Sequence, residues 1–255
     1  MSNTKNNIYF ASDFHLGFEK ETDNHKREKE VVKWLSMIQD DAAEIYLLGD
    51  IFDFWFEFKT VIPKGFTRFQ GKIAELVDAG IPVTIFKGNH DMWMFGYLEK
   101  ELGVKVISDE LIIERNGKRF FLHHGDGLGR GDYGYKFLKS VFRNPFFQWL
   151  FARFHPNFGI SLARYFSSRS RQANYRSDLE YKGDENEFLT QFAKQKLKEE
   201  HFDYFIFGHR HLPLDIQLEQ GSRYVNLGEW VTHFTYAVYD GEHLELKTYT
   251  GNLIA

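Results

Sequence analysis

The chain has 255 residues, of which 43% are hydrophobic, and it carries a formal net charge of −4. This length suits one large domain or a domain with an insertion. The absence of cysteine excludes disulfides, thiolate metal sites and a cysteine nucleophile, and it is typical of a reducing cytoplasm. No run approaches the roughly 20 apolar residues of a spanning helix, so we expect a soluble chain or one that rests on a membrane surface.

Strand and helix patterns alternate along most of the chain. Apolar runs predict buried strands, and apolar residues at helical spacing predict amphipathic helices. The predicted strands cover 7–12, 44–48, a run opened by Ile81-Pro82, 111–115, 118–122, a run from Tyr204, 224–227, 236–239 and 244–249. The predicted helices cover 24–39, 65–79, 91–102 and 185–200. This order predicts an α/β fold.

Several apolar runs end in the same way, in a turn that carries Asp, His or Asn. Open α/β sheets bind ligands at the carboxyl ends of their strands, and these side chains offer the oxygen and nitrogen donors that suit divalent metals. The turns are Asp13-Phe14-His15, Gly49-Asp50, Gly88-Asn89-His90-Asp91, His124-Gly125-Asp126 and Gly208-His209-Arg210-His211. We therefore predict a metal site with these ligands: Asp13, His15, Asp50, Asn89, His124, His209 and His211.

A site for two metals would need a shared ligand, because two cations about 3.5–4 Å apart repel each other while they clamp a phosphoryl group. Asp50 follows the most apolar strand and is the natural bridge. Asp13 and His15 are two residues apart, which in an extended segment would direct both side chains to one side. Asn89 follows Gly88, which lets its turn approach closely.

The segment from Tyr133 to Arg176 differs from the rest. It holds eight Lys and Arg residues and no Asp or Glu, so it carries +8 and leaves −12 for the remainder. Aromatic residues are interleaved, and Asn144-Pro145 breaks the pattern into short helices. We interpret residues 127–182 as a helical insertion between two parts of one core, 1–126 and 183–255. The aromatics form either a small helical core or a surface for lipid, and the cations favour an anionic partner.

Five blocks, Asp-x-His, Gly-Asp-x-x-Asp, Gly-Asn-His-Asp, His-Gly-Asp and Gly-His-x-His, follow each other between Asp13 and His211. In this set the chain resembles the calcineurin-like metallophosphoesterases. The resemblance implies a four-layer α/β/β/α sandwich with two divalent metals at the strand ends, with Mn²⁺ preferred over Fe, Zn or Co. One metal would take Asp13, His15, Asp50 and His211, and the other Asp50, Asn89, His124 and His209. His90 would stabilise the phosphate or protonate the leaving group, and Asp53 would orient His90.

A narrower resemblance rests on Leu48–Trp55, on His124–Leu128 and on the basic, aromatic insertion. These resemble the UDP-2,3-diacylglucosamine diphosphatases of lipid A biosynthesis, although the best-known members have Arg where this chain has His90. The resemblance implies cleavage of a pyrophosphate in an acylated UDP-sugar, at the cytoplasmic face of the inner membrane. The candidate phosphate-binding residues are Arg169, Arg171 and Arg176, because a guanidinium binds phosphate oxygens in a fork.

Other interpretations remain open at the level of the sequence. Asp53 could cap a turn, and we expect Asp126 to brace the loop of His124 rather than bind metal. A phosphoesterase for a nucleotide, a phosphoprotein or a phosphodiester would carry the same blocks. A non-catalytic scaffold and a nuclease are further alternatives. Because the chain outside the insertion is acidic, we expect no nucleic-acid partner, and no feature indicates an obligate protein partner.

Overall fold

A computed structural model describes residues 6–18, 24–129, 133–178, 180–181, 183 and 185–251, with backbone only for residues 168 and 170–178. The strands are β1 (Asn7–Ala11), β2 (Ala42–Leu47), β3 (Val83–Phe86), β4 (Lys105–Ile107), β5 (Leu111–Arg115), β6 (Lys118–His123), β7 (Tyr204–Phe207), β8 (Pro213–Gln217), β9 (Arg223–Leu227), β10 (Thr235–Tyr239) and β11 (Leu244–Thr248). The helices are α1 (Asn24–Ile38), α2 (Thr67–Asp78), α3 (Tyr97–Leu102), α4 (Tyr133–Arg143), α5 (Pro145–Phe151), α6 (Pro156–Asp178) and α7 (Phe188–Leu197).

The strands form two mixed sheets. The first has six strands in the order β11-β10-β1-β2-β3-β4, and the second has five in the order β5-β6-β7-β9-β8. Strands β1 to β4 are parallel, and so are β6, β7 and β9, whereas the remaining strands pair antiparallel. Because the ends of parallel strands meet at one edge, the turns after β1, β2 and β3 lie side by side, and so do those after β6 and β7.

Three apolar clusters separate the layers. Alternate residues of β1 point to opposite faces, so Tyr9 packs against Trp34 of α1 while Phe10 points between the sheets and stacks on Phe120 at 6.0 Å. On the far side, Phe121 packs with α7. Both sheets are buried on both faces, which explains the unbroken apolar runs. The predicted four-layer α/β/β/α sandwich is confirmed.

Three local predictions differ from the structure. The expected helix at 91–102 begins only at Tyr97, because the Asp91 carboxylate does not cap it. That carboxylate instead accepts hydrogen bonds from the backbone N–H groups of Gly88, Ile51 and Phe52. Strands β4 and β8 were not predicted, because they are short edge strands with few fully buried residues.

Helices α4 to α6 follow β6 and precede α7. The predicted break before α5 is the N-terminal cap of that helix. The Asn144 side chain accepts a hydrogen bond from the Phe146 N–H, and Pro145 is the first helical residue. Helices α4 and α5 contain no buried residue. They meet the core at Trp93, whose ring lies 5.3 Å from that of Phe142 and 5.0 Å from that of Phe151. Among the described residues, none of the helices combines the length and apolar character needed to cross a membrane.

Candidate metal centre

The seven predicted ligands come together at the strand ends. Asp13, His15, Asp50 and His211 each offer a ligand atom, and these atoms lie within 4.8 Å of one another. Asp50, His124 and His209 form a second such group. Asn89 joins it, since its Oδ1 lies 3.2 Å from His124 Nε2. The two groups share Asp50, as a bridging ligand would, and most of the side chains are buried.

The backbone at this site is unusual. Asp13, His15, Asp50, His209 and His211 all have positive φ angles, between 44° and 68°. The expectation that Asp13 and His15 share one side of an extended segment is therefore wrong. Their side chains converge because the chain turns back at each residue through the left-handed region, which Asp and His enter more readily than most side chains. Such positions cost roughly 1–3 kcal/mol each and cluster at functional sites.

Two glycines allow the turns to approach each other. A Cβ on Gly88 would overlap Asp50 Oδ1, and a Cβ on Gly208 would overlap Asp13 Oδ2. No side chain can replace either hydrogen without displacing a carboxylate of the cluster. The role of these two glycines is therefore steric, since neither has a positive φ angle.

Backbone contacts orient the ligand side chains. Asp50 Oδ1 accepts from the His90 N–H at 2.8 Å, and Asp13 Oδ2 accepts from the His209 N–H at 3.0 Å. His124 Nδ1 lies 2.7 Å from the Leu48 carbonyl oxygen, which can only accept, so Nδ1 carries the proton. In each case the second oxygen or nitrogen of the side chain is left to face the cluster, as is usual for metal ligands.

The carboxyls of the cluster are strongly acidic. Burial alone would raise the pKa of Asp13, but the imidazoles of His15 and His211 hold it well below its usual range. Burial likewise opposes ionisation of Asp50, yet His124 and His90 keep its pKa well below the usual value. Two ionised, buried carboxylates at the centre of the site favour bound cations.

The short contacts between side-chain atoms of the cluster test whether divalent metals fit. Asp13 Oδ1 is buried and makes no hydrogen bond, although His211 Nε2 lies 3.1 Å away. The Nε2 atoms of His15 and His211 face each other at 3.1 Å, and His124 Nε2 lies 3.5 Å from Asp50 Oδ2. Carboxylate oxygens and imidazole nitrogens at these separations can surround a cation, and mixed nitrogen and oxygen donors suit Mn, Fe, Zn or Co.

The two predicted catalytic residues lie beside this cluster. His90 Nε2 is 4.0 Å from Asp50 Oδ2, and its side chain is 17% exposed. The Asp53 carbonyl oxygen lies 3.1 Å from His90 Nδ1. Asp53 Oδ1 lies 3.7 Å from His15 Nδ1 and 4.0 Å from His90 Nδ1, so this carboxylate sits between the two imidazoles.

Sequence reasoning missed three residues that support the site, Asp91, Tyr135 and Lys139, whereas it did expect Asp126 to brace the loop of His124. Asp91 is the fourth residue of the Gly-Asn-His-Asp block, and its carboxylate accepts hydrogen bonds from the backbone on both sides of the cluster. Its place in the block could have indicated that it supports the site. Asp126 lies behind His124, where Lys139 Nζ approaches to 2.6 Å and the Tyr135 hydroxyl donates to it at 2.7 Å. Two residues of α4 are therefore tied to the His-Gly-Asp turn, and no sequence signal indicated this.

Of the three predicted phosphate-binding arginines, Arg169 is the one whose side chain the structure describes. Arg169 is exposed, and its Nη1 donates to the hydroxyl of Tyr165 one turn earlier in α6, at 3.1 Å. The side chains of Arg171 and Arg176 lie outside the described residues.

The geometry agrees with the comparisons to known proteins. The model of the calcineurin-like phosphoesterase family matches residues 7–213. A UDP-2,3-diacylglucosamine hydrolase of Porphyromonas gingivalis is 40% identical over 96% of this chain and 98% of its own length. Proteins of the same name from Vibrio atlanticus and Pseudomonas fluorescens are 26% and 29% identical, over 94% and 74% of this chain and 96% and 75% of their own lengths. The chain therefore belongs to the calcineurin-like phosphoesterase family of metal-dependent hydrolases.

Proposed function

We propose that this protein hydrolyses the pyrophosphate bond of UDP-2,3-diacylglucosamine, releasing UMP and 2,3-diacylglucosamine 1-phosphate. The observation that carries the proposal is the 40% identity to a relative of that name over nearly the full length of both chains. The cluster of carboxylate, imidazole and amide donors around Asp50 supports the chemistry that this reaction requires.

The ligand assignment is part of the proposal. One divalent cation would be held by Asp13, His15, Asp50 and His211, and the other by Asp50, Asn89, His124 and His209. We infer Mn²⁺ from the family resemblance, because the mixed nitrogen and oxygen donors by themselves suit Fe, Zn or Co equally. When bound, the pair of cations neutralises charge on a phosphoryl group and makes water a better nucleophile. The backbone N–H groups of His90 and His209 keep the two carboxylates in place during turnover.

His90 and Asp53 complete the proposed site. With Nδ1–H turned toward the Asp53 carbonyl oxygen, His90 presents Nε2 to the cluster, where the imidazolium form, which carries a proton on both nitrogens, can donate to a phosphate oxygen or to the leaving group. Asp53 lies between His15 and His90 and would hold both rings. Arg169, Arg171 and Arg176 remain candidates for contact with the pyrophosphate.

Residues 127–182 are proposed to form a cap over a core made of 1–126 and 183–255. Many aromatic side chains of α4 to α6 are exposed, among them Phe137, Phe146, Phe147, Trp149, Phe158 and Phe166. So many exposed aromatic side chains in one segment are unusual for a surface that binds nothing. The absence of Asp and Glu between Tyr133 and Arg176, together with Arg153 and Arg164, suits anionic lipid, and we propose that the cap binds the acyl chains and the cytoplasmic face of the inner membrane.

The substrate prediction concerns the acyl chains. With Mn²⁺ and detergent, we expect release of UMP from UDP-2,3-diacylglucosamine, and a kcat/KM for the deacylated UDP-sugar that is lower by at least about a hundredfold. The loss follows from the apolar contacts that the shorter substrate lacks. The measurement is UMP formation by chromatography. Equal kcat/KM for the two substrates would contradict the proposal, and hydrolysis of simple phosphodiesters alone would assign the site to another substrate.

The membrane prediction concerns α5. Phe146 and Trp149 are 61% and 53% exposed, and replacing both by Ser is expected to reduce binding to anionic phospholipid vesicles by at least about tenfold in sedimentation. Met37→Ser is the matched control, because Met37 is 52% exposed but lies on α1. Vesicle binding of the double variant equal to that of Met37→Ser would contradict a membrane role for this helix.

A further inference from the structure

One contact joins α6 to the proposed catalytic pair. The Ser167 hydroxyl donates to Asp53 Oδ2 at 3.4 Å, and its Oγ also lies 3.1 Å from His90 Nδ1. The neighbouring side chains Tyr165 and Phe166 are exposed, whereas Ser167 is partly buried against the core. The cap segment therefore reaches His90 and Asp53 through the small polar side chain of Ser167.

The hydrogen-bonding roles around His90 follow from the atoms present. The carbonyl oxygen of Asp53, 3.1 Å from Nδ1, can only accept a hydrogen bond, so Nδ1 must carry the proton. A hydroxyl can donate and accept at once, and the Ser167 proton is directed to Asp53 Oδ2. The lone pair of Ser167 Oγ is then free to accept from the same Nδ1–H.

We propose that Ser167 is a positioning residue, which fixes the ring of His90 with Nδ1 protonated and Nε2 directed at the metal cluster. The inference rests on the proposed role of His90 in catalysis. The inference adds that the role of His90 depends on α6. This helix belongs to the proposed substrate-binding cap, and it also supplies one of the two hydrogen-bond acceptors for the His90 ring. Placement of the cap would then assist the orientation of His90.

The expected size of the effect is moderate. In Ser167→Ala the Asp53 carbonyl still accepts from Nδ1, so the ring loses one of its two partners. Loss of such a supporting contact commonly costs about tenfold. We expect kcat to fall about tenfold with KM changed by less than about twofold, because Ser167 acts through His90 and not on substrate binding. Ser167→Thr keeps the hydroxyl and should restore most of kcat.

The control for the helix itself is Ser161→Ala, because Ser161 lies on α6 and is exposed. Its kcat should equal that of the unmodified protein. A double-mutant cycle with His90→Ala tests the route of the effect. If Ser167 acts through His90, Ser167→Ala should have no further effect once His90 is removed.

A second readout does not depend on activity. The ¹⁵N chemical shifts of the His90 ring, recorded on metal-free protein and assigned with His90→Gln, report which nitrogen carries the proton. We expect the Nδ1–H form in the unmodified chain and in Ser167→Thr, and a smaller share of that form in Ser167→Ala, where Nδ1–H keeps the Asp53 carbonyl as a partner but loses the hydroxyl. The Nε2–H form in the unmodified chain would overturn the inference.

The kinetic outcomes separate the inference from the proposed function. Unchanged kcat in Ser167→Ala, with a large loss in His90→Ala, would overturn the role of Ser167 and leave the hydrolase proposal intact. Unchanged kcat in both variants would overturn the role of His90 and the inference with it. A loss in Ser167→Ala that Ser167→Thr fails to restore would show a packing defect and would also overturn the inference.

Discussion

Asp50→Asn is expected to lower kcat/KM by at least about a thousandfold and to remove bound metal while the chain stays folded. Asp50 is the one residue common to both ligand groups, and asparagine keeps its shape but not its negative charge. Asparagine also tolerates the left-handed backbone of this position, whose φ is 51°, so the fold should survive.

Three measurements check this expectation: turnover of the acylated UDP-sugar, metal content by mass spectrometry, and circular dichroism. Asp78→Asn is the matched control, because Asp78 is an exposed residue at the end of α2 and makes no contact with the cluster. Full metal content and near-normal turnover in Asp50→Asn would exclude Asp50 as the shared ligand. A loss of the helical signal would mean that the variant reports folding and not metal binding, and Asp50→Glu would then be compared.

Asp91→Ala is expected to reduce the free energy of unfolding by at least about 3 kcal/mol, the largest stability effect we predict. The carboxylate accepts from the N–H groups of Gly88 and Ile51 at 2.8 Å and of Phe52 at 3.2 Å. The residue is fully buried, so its removal leaves these donors without a partner and without ready access to water. Each unsatisfied buried group costs roughly 1–3 kcal/mol.

The same variant should weaken metal binding, since Gly88 and Ile51 flank Asn89 and Asp50. Denaturant unfolding of the metal-free protein separates the two effects, and metal titration then measures the second. Asp78→Ala is the control for loss of a carboxylate at an exposed position. A change in unfolding free energy below about 1 kcal/mol would mean that the backbone around Asp91 finds other partners.

The sequence predicted the parts of the fold that depend on local patterns. Unbroken apolar runs indicated strands covered on both faces, and the Asp, His and Asn residues after them indicated which sheet edge carries chemistry. The Gly-Asn-His-Asp block marked Asp91 as part of the site, but the sequence could not show that its carboxylate binds backbone N–H groups about 40 residues earlier, so the predicted helix began at Asp91. Whether a helix begins at Asp91 or at Tyr97 depends on whether the Asp91 carboxylate caps the local helix or binds these distant backbone N–H groups.

Two features of the cap segment were equally beyond local reasoning. Helical spacing of aromatics is the same for a buried core and for an exposed surface, so only the structure distinguishes them, and α4 and α5 bury no residue. Ser167 carries neither charge nor metal affinity, and its contact with His90 depends on how α6 is rotated against the core. The assignment of the arginines, which were selected for their charge, stays a prediction, because their contacts also depend on how α6 is rotated against the core.

The left-handed backbone at five of the ligand positions also limits how this site can change during evolution. At Asp13, Asp50 and His211, for example, a β-branched or bulky replacement meets a steric penalty before its effect on chemistry is felt. Asparagine and glycine fit the backbone but remove the charge or the donor. Few single substitutions at these positions are therefore neutral. In a lineage that lost the activity, we expect the replacements at these five positions to be mostly Asn or Gly.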